Sequence, residues 1–600
     1  MPEATTVIGR IEQLRNRMRE EGISICLMTS SDPHGSEYVS DCFKVTEFFS
    51  GCTSDNVALL VGEHTANLWT DGRYFLSASK ELNGTGIELM RAGEKDVPSV
   101  GEFLKSHLQS GMCLAYDGRC ILSERGNVYR ETAALCNCTV RGDFDPAEGI
   151  WTDRPQKPSN PVWVLENCEE PAMEKTERLR QAIRLRGASS MILSRLDDIM
   201  WLTNLRGSDI PCNPVALSFC IVNADRTVLY LNSKACTKEC EAYLEANHIE
   251  RKDYEDFYPD LETAEFVESV FLCPSDTSDR IVEILLKRGI RPVAGENPIK
   301  LFKAVKTERE LEQIRSCYLA DSAALCSFLC EVEEGIGKEE WDEMALAKKL
   351  DDKRRTIPDF LDLSFPTISA FGENAAIIHY EPKPETNKRI ERDSFYLVDS
   401  GGQYQSGTTD VTRTIPTGEI SPQMKKDYTL VAVANLRLLF AKFQHGTTGV
   451  NLDMFARAPL WEEGLDYRHG TGHGIGFVLN VHEGPQNISW RSRKGKVDTP
   501  FETGMITSIE PGIYRDGEYG IRTETIAECV FSEENEYGRF LAFSPLTYVP
   551  ISKAALDPAY MEPSDIRKLN AYHEEVYKKI SPLLKEDREK EWLYAATRPI

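Results

Sequence analysis

The sequence predicts an α/β (α+β) protein in which two related α/β domains precede a larger third domain that carries the chemistry. Three observations predict it. A pattern of helix, glycine and strand occurs twice at a constant offset, a capping signature announces a long helix near residue 307, and histidines and strand-embedded carboxylates gather beyond it.

The first copy is 11-IEQLRNRMREEGISICLMTSSDP-33, with apolar residues at helical spacing, then a glycine, then a short apolar run into polar turn residues. The second is 176-TERLRQAIRLRGASSMILSRLDD-198, where Arg184, Gly187 and Asp197 match Arg19, Gly22 and Asp32. Further on, 58-ALLVGEHTANLWTD-71 and 219-FCIVNADRTVLYLN-232 each read as two β-rich runs around a polar turn, so one α/β unit stands in tandem. The proline-rich 154-RPQKPSNPVW-163 reads as the linker between them, giving domains 1–160 and 161–303. The third domain, 304–600, opens at Thr307, which forms a capping box with Glu310 ahead of a helical period. Its terminal stretch from 563-PSDIRKLNAYHEEVYKKI-580 has the period of a solvated helix packed on one face.

A chain of 600 residues with 41% hydrophobic content can bury several cores. The formal charge of −25, from 70 basic and 95 acidic residues, argues against nucleic acid and anionic membrane as partners. No window approaches about eighteen uninterrupted apolar residues and the N-terminal stretch lacks a signal-peptide core, so a cytoplasmic location is expected. The 17 cysteines, without CxxC pairs, read as reduced structural thiols. The loop 489-SWRSRKGKVDTPFETG-504 is unusually basic for this chain.

Histidine occurs only 10 times, yet His379, His445, His469, His473 and His482 fall close together. Three stand in 469-HGTGHGIGFVLNVHEGP-485, where interleaved glycines are expected to let backbone approach a ligand and to leave the imidazoles unobstructed. Asp399 and Asp410 in 399-DSGGQYQSGTTDVTRT-414, Glu510 in 504-GMITSIEPGIY-514 and Glu524 in 520-GIRTETIAECV-530 all lie in β-rich contexts. A single Asp or Glu is ordinarily a solvated charge or a turn residue. Four carboxylates with a histidine form a mainly hard-oxygen donor set, suited to Mn²⁺, with Zn²⁺ or Co²⁺ allowed on affinity. Bridging carboxylates hold paired ions about 3.5–4 Å apart, and such a pair makes a hydroxide nucleophilic near neutral pH. Asp399 and Asp410 are expected on adjacent strands joined by the glycine-rich turn 401-GGQYQSG-407.

In order, 399-DSGGQYQSGTTDVTRT-414, 469-HGTGHGIG-476, 481-VHEGP-485, 508-SIEPGIY-514 and 520-GIRTET-525 resemble the signature of pita-bread metallopeptidases. With 376-AIIHYEPKPETN-387 they are most similar to aminopeptidase P of the large cytosolic eukaryotic type, and 72-GRYF-75, 204-NLRGSD-209 and the terminal Arg-Pro-Ile agree. The resemblance implies two creatinase-like domains and a C-terminal pita-bread catalytic domain. It implies two divalent metal ions, with Asp410 and Glu524 bridging, Asp399 on one ion, and His473 and Glu510 on the other. It implies that His379, His469 and His482 orient substrate and stabilise the oxyanion, that Glu510 also relays a proton, and that Arg522 holds an aspartate ligand. The activity implied is hydrolysis of the N-terminal Xaa-Pro bond of peptides by a hydroxide held between the ions, in a homodimer. A prolidase-like dipeptidase would share these ligands, whereas a catalytically dead binding module of this fold would lack some of them. Tyr514 and Asp516, beside the last motifs, serve either the pocket or packing and a turn.

Overall fold

The computed structural model describes residues 3–166, 168–266, 269–492 and 498–600, so residues 493–497 of the basic loop lie outside the described residues. The chain forms two compact units, one ending at Ile299 and the other spanning Lys300–Ile600.

In the first unit, helix Ala4–Glu20 buries Val7, Ile11, Leu14 and Met18, a single stripe at helical spacing. Gly22, at φ +67°, then turns the chain into the buried strand Ile25–Thr29. The second copy repeats this with helix Ala172–Arg184, Gly187 at φ +79° and strand Ser190–Leu193. Glycine adopts this left-handed conformation without steric cost, which accounts for its place at both helix ends. Each of these strands sits inside a six-stranded sheet. One runs in the order 88–91, 66–70, 58–62, 25–29, 113–115, 139–141, and the other 249–252, 227–231, 218–222, 190–193, 270–272, 293–294. Pairing is antiparallel through the central hairpin and parallel towards both edges in each sheet. The repeat in the sequence is therefore a repeat of topology.

The second unit opens as the capping box requires: Thr307 N–H donates to Glu310 Oε2 at 2.8 Å ahead of helix Glu308–Gly335. At its centre helix Pro422–Leu439 is buried on nearly all sides through its C-terminal half, where 430-LVAVANL-436 is a continuous, almost wholly apolar run instead of a stripe. Two antiparallel sheets frame it. One comprises 368–371, 395–400 and 411–416; the other runs 442–444, 538–545, 525–535, 506–509, 472–474, 483–488. The register sets Asp399 opposite Thr412 and Ile509 opposite Thr525. The link 401–409 is more than the expected turn, because Gly402–Tyr404 pairs with Gly407–Thr408 on one side and with Phe360–Leu363 on the other. Pairing satisfies backbone groups that a buried open loop would leave unbonded. Tyr404 Oη, donating to Asp321 Oδ1 at 2.6 Å, and Arg354, on the same carboxylate, pin this hairpin.

Arg413, buried on the strand after Asp410, donates to Thr412 O at 2.9 Å, Pro550 O at 3.2 Å, Val549 O at 2.6 Å, Tyr572 Oη at 2.8 Å and also to Glu524 O. Helix Pro563–Ile580 packs on one face as expected, and that face brings Tyr572 to Arg413. Among the described residues no helix is long and apolar enough to cross a membrane.

The glycines at 472, 474 and 476 serve the chain's own backbone, which corrects their expected role of admitting a ligand. A Cβ on Gly472 would stand 2.0 Å from Ser508 O, one on Gly474 2.2 Å from Glu483 O, and one on Gly476 2.9 Å from Asn480 O. On Gly470 the nearest atom would be Ile488 O at 3.4 Å. Gly472→Ala should therefore cost about 1–3 kcal/mol of stability, read by urea unfolding, while Gly470→Ala stays near wild type. Equal losses in the two variants would sink the close-approach explanation.

Candidate metal centre

The four carboxylates all stand at strand ends. Asp399 is the penultimate residue of strand Phe395–Ser400, Asp410 immediately precedes Val411–Pro416, Glu510 follows Ile506–Ile509, and Glu524 precedes Thr525–Asn535. Where the ladder between the last two strands stops, Glu510 N–H turns to Thr471 O at 2.8 Å and Glu524 N–H to Thr412 O at 3.1 Å. Those bonds bring His473, on the short strand Gly472–Gly474, and the two aspartates to the same place. Donor atoms of Asp399, Asp410 and Glu524 lie within 4.8 Å of one another, and so do those of His473, Glu510 and Glu524. A third such group is Asp410, His473 and His482.

Hydrogen bonds aim these donors. His473 Nδ1 donates to Gly474 O at 2.9 Å, which turns Nε2 toward Asp410 Oδ2 at 3.5 Å and Glu510 Oε1 at 3.4 Å. Arg522 donates to Asp399 Oδ2 from Nη2 at 2.7 Å and from Nε at 3.2 Å. Thr412 Oγ1 donates to Glu524 Oε2 at 2.9 Å, and Ser508 Oγ to Glu510 Oε1 at 3.1 Å. Asn435 donates from Nδ2 to Ile509 O at 2.7 Å and to Thr523 O at 3.1 Å.

The electrostatics ask for cations. Burial raises the Asp399 carboxyl, against the pull of Arg522. It raises Glu510 against His473, and lifts Glu524 well above the usual range with help from Asp410, Glu510 and Asp399. Burial opposes the His473 imidazolium, but Asp410 and Glu510 outweigh it and hold its pKa at about 9. Asp399 Oδ1 is buried without a hydrogen-bond partner. Three buried carboxylates and the half-buried Glu510, set against one guanidinium and one imidazole and with an orphaned oxygen among them, fit a pair of divalent cations bound through oxygen and nitrogen.

The other histidines divide. His482 stands perpendicular to His473, with ring centroids 4.3 Å apart, so it belongs to the cluster. His469 Nδ1 donates to Gly470 O at 2.8 Å and Nε2 accepts from Tyr514 Oη at 2.9 Å. Tyr514 Oη in turn accepts from Arg522 Nη1 at 2.9 Å, which gives this tyrosine a place in the site. His379 is half-buried and follows Ile378, whose carbonyl accepts from Arg522 Nη2 at 3.3 Å. His445 lies apart, paired with Glu502 at 3.0 Å. Thr412, Ser508 and Asn435 were not singled out from sequence. The two hydroxyls lie inside the ligand motifs, and Asn435 is the polar residue of the apolar run 430-LVAVANL-436.

Comparison with known proteins agrees along the whole chain. Residues 312–529 match metallopeptidase family M24, and residues 539–600 match the C-terminal region of that family. Residues 10–145 and 153–310 each match the creatinase/prolidase N-terminal domain. A probable Xaa-Pro aminopeptidase P of Pyricularia oryzae is 37% identical over 98% of both chains. Aminopeptidase P2 of Arabidopsis thaliana is 35% identical over 98% of this chain and 88% of its own. The crystal structure of an X-prolyl aminopeptidase from Caenorhabditis elegans, described as a cytosolic enzyme with a di-nuclear active site, is 31% identical and superposes over 100% of both chains with a TM-score of 0.94. With full-length relatives at this identity, the chain belongs to the aminopeptidase P family of M24 metallopeptidases.

Proposed function

We propose that this chain is a metalloaminopeptidase that releases the first residue from peptides with proline in second position, with Asp399, Asp410, His473, Glu510 and Glu524 holding two divalent ions. The observation that carries the reading is the overlap of the donor groups: Glu524 is shared by the aspartate triad and the His473–Glu510 triad, and Asp410 also faces His473. Two ions sharing bridging carboxylates would need this arrangement. The Xaa-Pro preference is supported by the names of relatives aligned from end to end. The hard donor set favours Mn²⁺ over Zn²⁺ or Co²⁺. The domain division 1–160, 161–303 and 304–600 is supported by the two sheets of the first unit.

When bound, the ions would supply Lewis acidity for the scissile carbonyl and lower the pKa of the attacking water. The chain's residues do the rest. Glu510, oriented through Oε1 by Ser508, takes the proton of that water and delivers it to the imino nitrogen of the departing proline. His379, His469 and His482 orient the substrate and stabilise the oxyanion, and the Tyr514 hydrogen bond keeps the His469 ring in one orientation. Arg522 steadies Asp399. An Xaa-Pro bond has no amide N–H and a fixed φ, so a pocket closed around the ring accepts it while an ordinary peptide leaves an N–H unpaired.

The chain is also proposed to be a cytoplasmic homodimer. Exposed Met454 and Trp461, one turn-pair apart on helix Gly449–Trp461, together with Trp490 edge-on to Trp461, supply an apolar patch of the kind that subunits cover. Sedimentation at the mass of one chain, or fractionation away from cytosolic markers, would count against it.

Hydrolysis of an Xaa-Pro-Yaa tripeptide, an Xaa-Pro dipeptide and an Xaa-Ala-Yaa control, with and without Mn²⁺, tests the activity. The tripeptide should be cleaved, and more so with Mn²⁺; cleavage of the dipeptide alone would point to a prolidase, and no cleavage at all to a binding module. Asp410→Ala should lose both hydrolysis and bound ions, measured by elemental analysis. His482→Ala should keep its ions and lose turnover by roughly 10–100-fold. Wild-type turnover in Asp410→Ala would remove that residue from the ligand set.

A further inference from the structure

The stretch Tyr428–Leu436 of helix Pro422–Leu439 is buried throughout, and it carries one fully buried amide, Asn435. An amide in an apolar interior costs about 1–3 kcal/mol unless its hydrogen bonds are made. Both N–H groups are used: Nδ2 donates to Ile509 O at 2.7 Å and to Thr523 O at 3.1 Å. Carbonyls only accept, so the amide can face this way only with its nitrogen toward them. Its Oδ1 accepts from Thr525 Oγ1 at 3.4 Å, which holds that orientation.

The two carbonyls are those immediately before Glu510 and Glu524. The ladder between their strands ends at the pair Ile509 and Thr525. Just beyond it the pairing is interrupted, Glu510 N–H going to Thr471 O and Glu524 N–H going to Thr412 O. Across this interruption the backbone makes one bond, Thr523 N–H to Pro511 O at 3.3 Å, before pairing resumes at Gly512 and Arg522, and the Asn435 amide bridges the two carbonyls from the helix side. We propose that Asn435 is a positioning residue for the dinuclear centre, setting the separation of Glu510 from Glu524 and with it the fit of the donor triads to two ions. A hydrophobic side chain would fill the same space in the helix and leave this separation to the strands alone.

The inference rests on the reading that these residues bind divalent ions, and ion titration separates the two. Mn²⁺ binding to the full chain, after removal of ions by a chelator, is followed by calorimetry for wild type, Asn435→Leu and Thr525→Val, with melting temperature and stoichiometry recorded alongside. Wild type should bind two ions. Asn435→Leu should bind about 10–100-fold more weakly, and Thr525→Val should shift the same way by less. A wild-type chain that binds no ion overturns the metal reading itself. Wild-type affinity in a folded Asn435→Leu overturns the positioning role, as does a loss of melting temperature with affinity unchanged. If Asn435→Leu does not fold, Thr525→Val decides, and unchanged affinity in it overturns the proposal.

Discussion

Mutual repulsion among Asp399, Asp410, Glu510 and Glu524 is the constraint that the second unit is built to withstand. Two unit charges about 4 Å apart repel by roughly 4 kcal/mol at an effective dielectric constant near 20, and here several such pairs are buried together. Strand ends alone could relax outward. What prevents it is a layer of hydrogen-bond partners, each attached to a different element: Arg522 donating to Asp399, Thr412 to Glu524 and Ser508 to Glu510, with the Gly474 carbonyl accepting from His473. The cluster remains short of positive charge even so, which is why it has the character of a receptor for cations.

The same constraint orders the surroundings. The hairpin 402–408 is tied to Asp321 and Arg354, so the two aspartates cannot drift apart along the chain that joins them. Gly472 lets the His473 strand lie against Ser508, the residue that orients Glu510. His469 and Asp399 are connected through Tyr514 and Arg522. The groups proposed to face substrate and those proposed to hold cations therefore share one hydrogen-bonded support.

Much of this was legible in the sequence wherever the determinants are local. The glycine at each helix end, the Thr307 capping box and the hairpins of the first unit depend on residues a few positions apart, and they appear where those residues stand. The residues that gather at the centre were readable because five short motifs carry them. Asn435, Arg413 and Tyr404 were not. Each acts through partners far along the chain, selected by register and helix packing that no local pattern encodes. The glycine run between His469 and Glu483 was seen but given the wrong neighbour: what approaches it closely is backbone of the same chain, and only the sheet pairing reveals that.

Arg413 gives the assembly of the centre a direction in time. Four of its five acceptors, on Glu524, Val549, Pro550 and Tyr572, follow it by 111 to 159 residues. During synthesis the N-terminal unit is free to fold first, while the Arg413 guanidinium on the strand beyond Asp410 stays in water, short of the acceptors that bury it, until helix Pro563–Ile580 has left the ribosome. A growing chain of this protein thus lacks a finished cage for nearly the whole of its translation, and the capacity to cut peptides arrives only with its last elements.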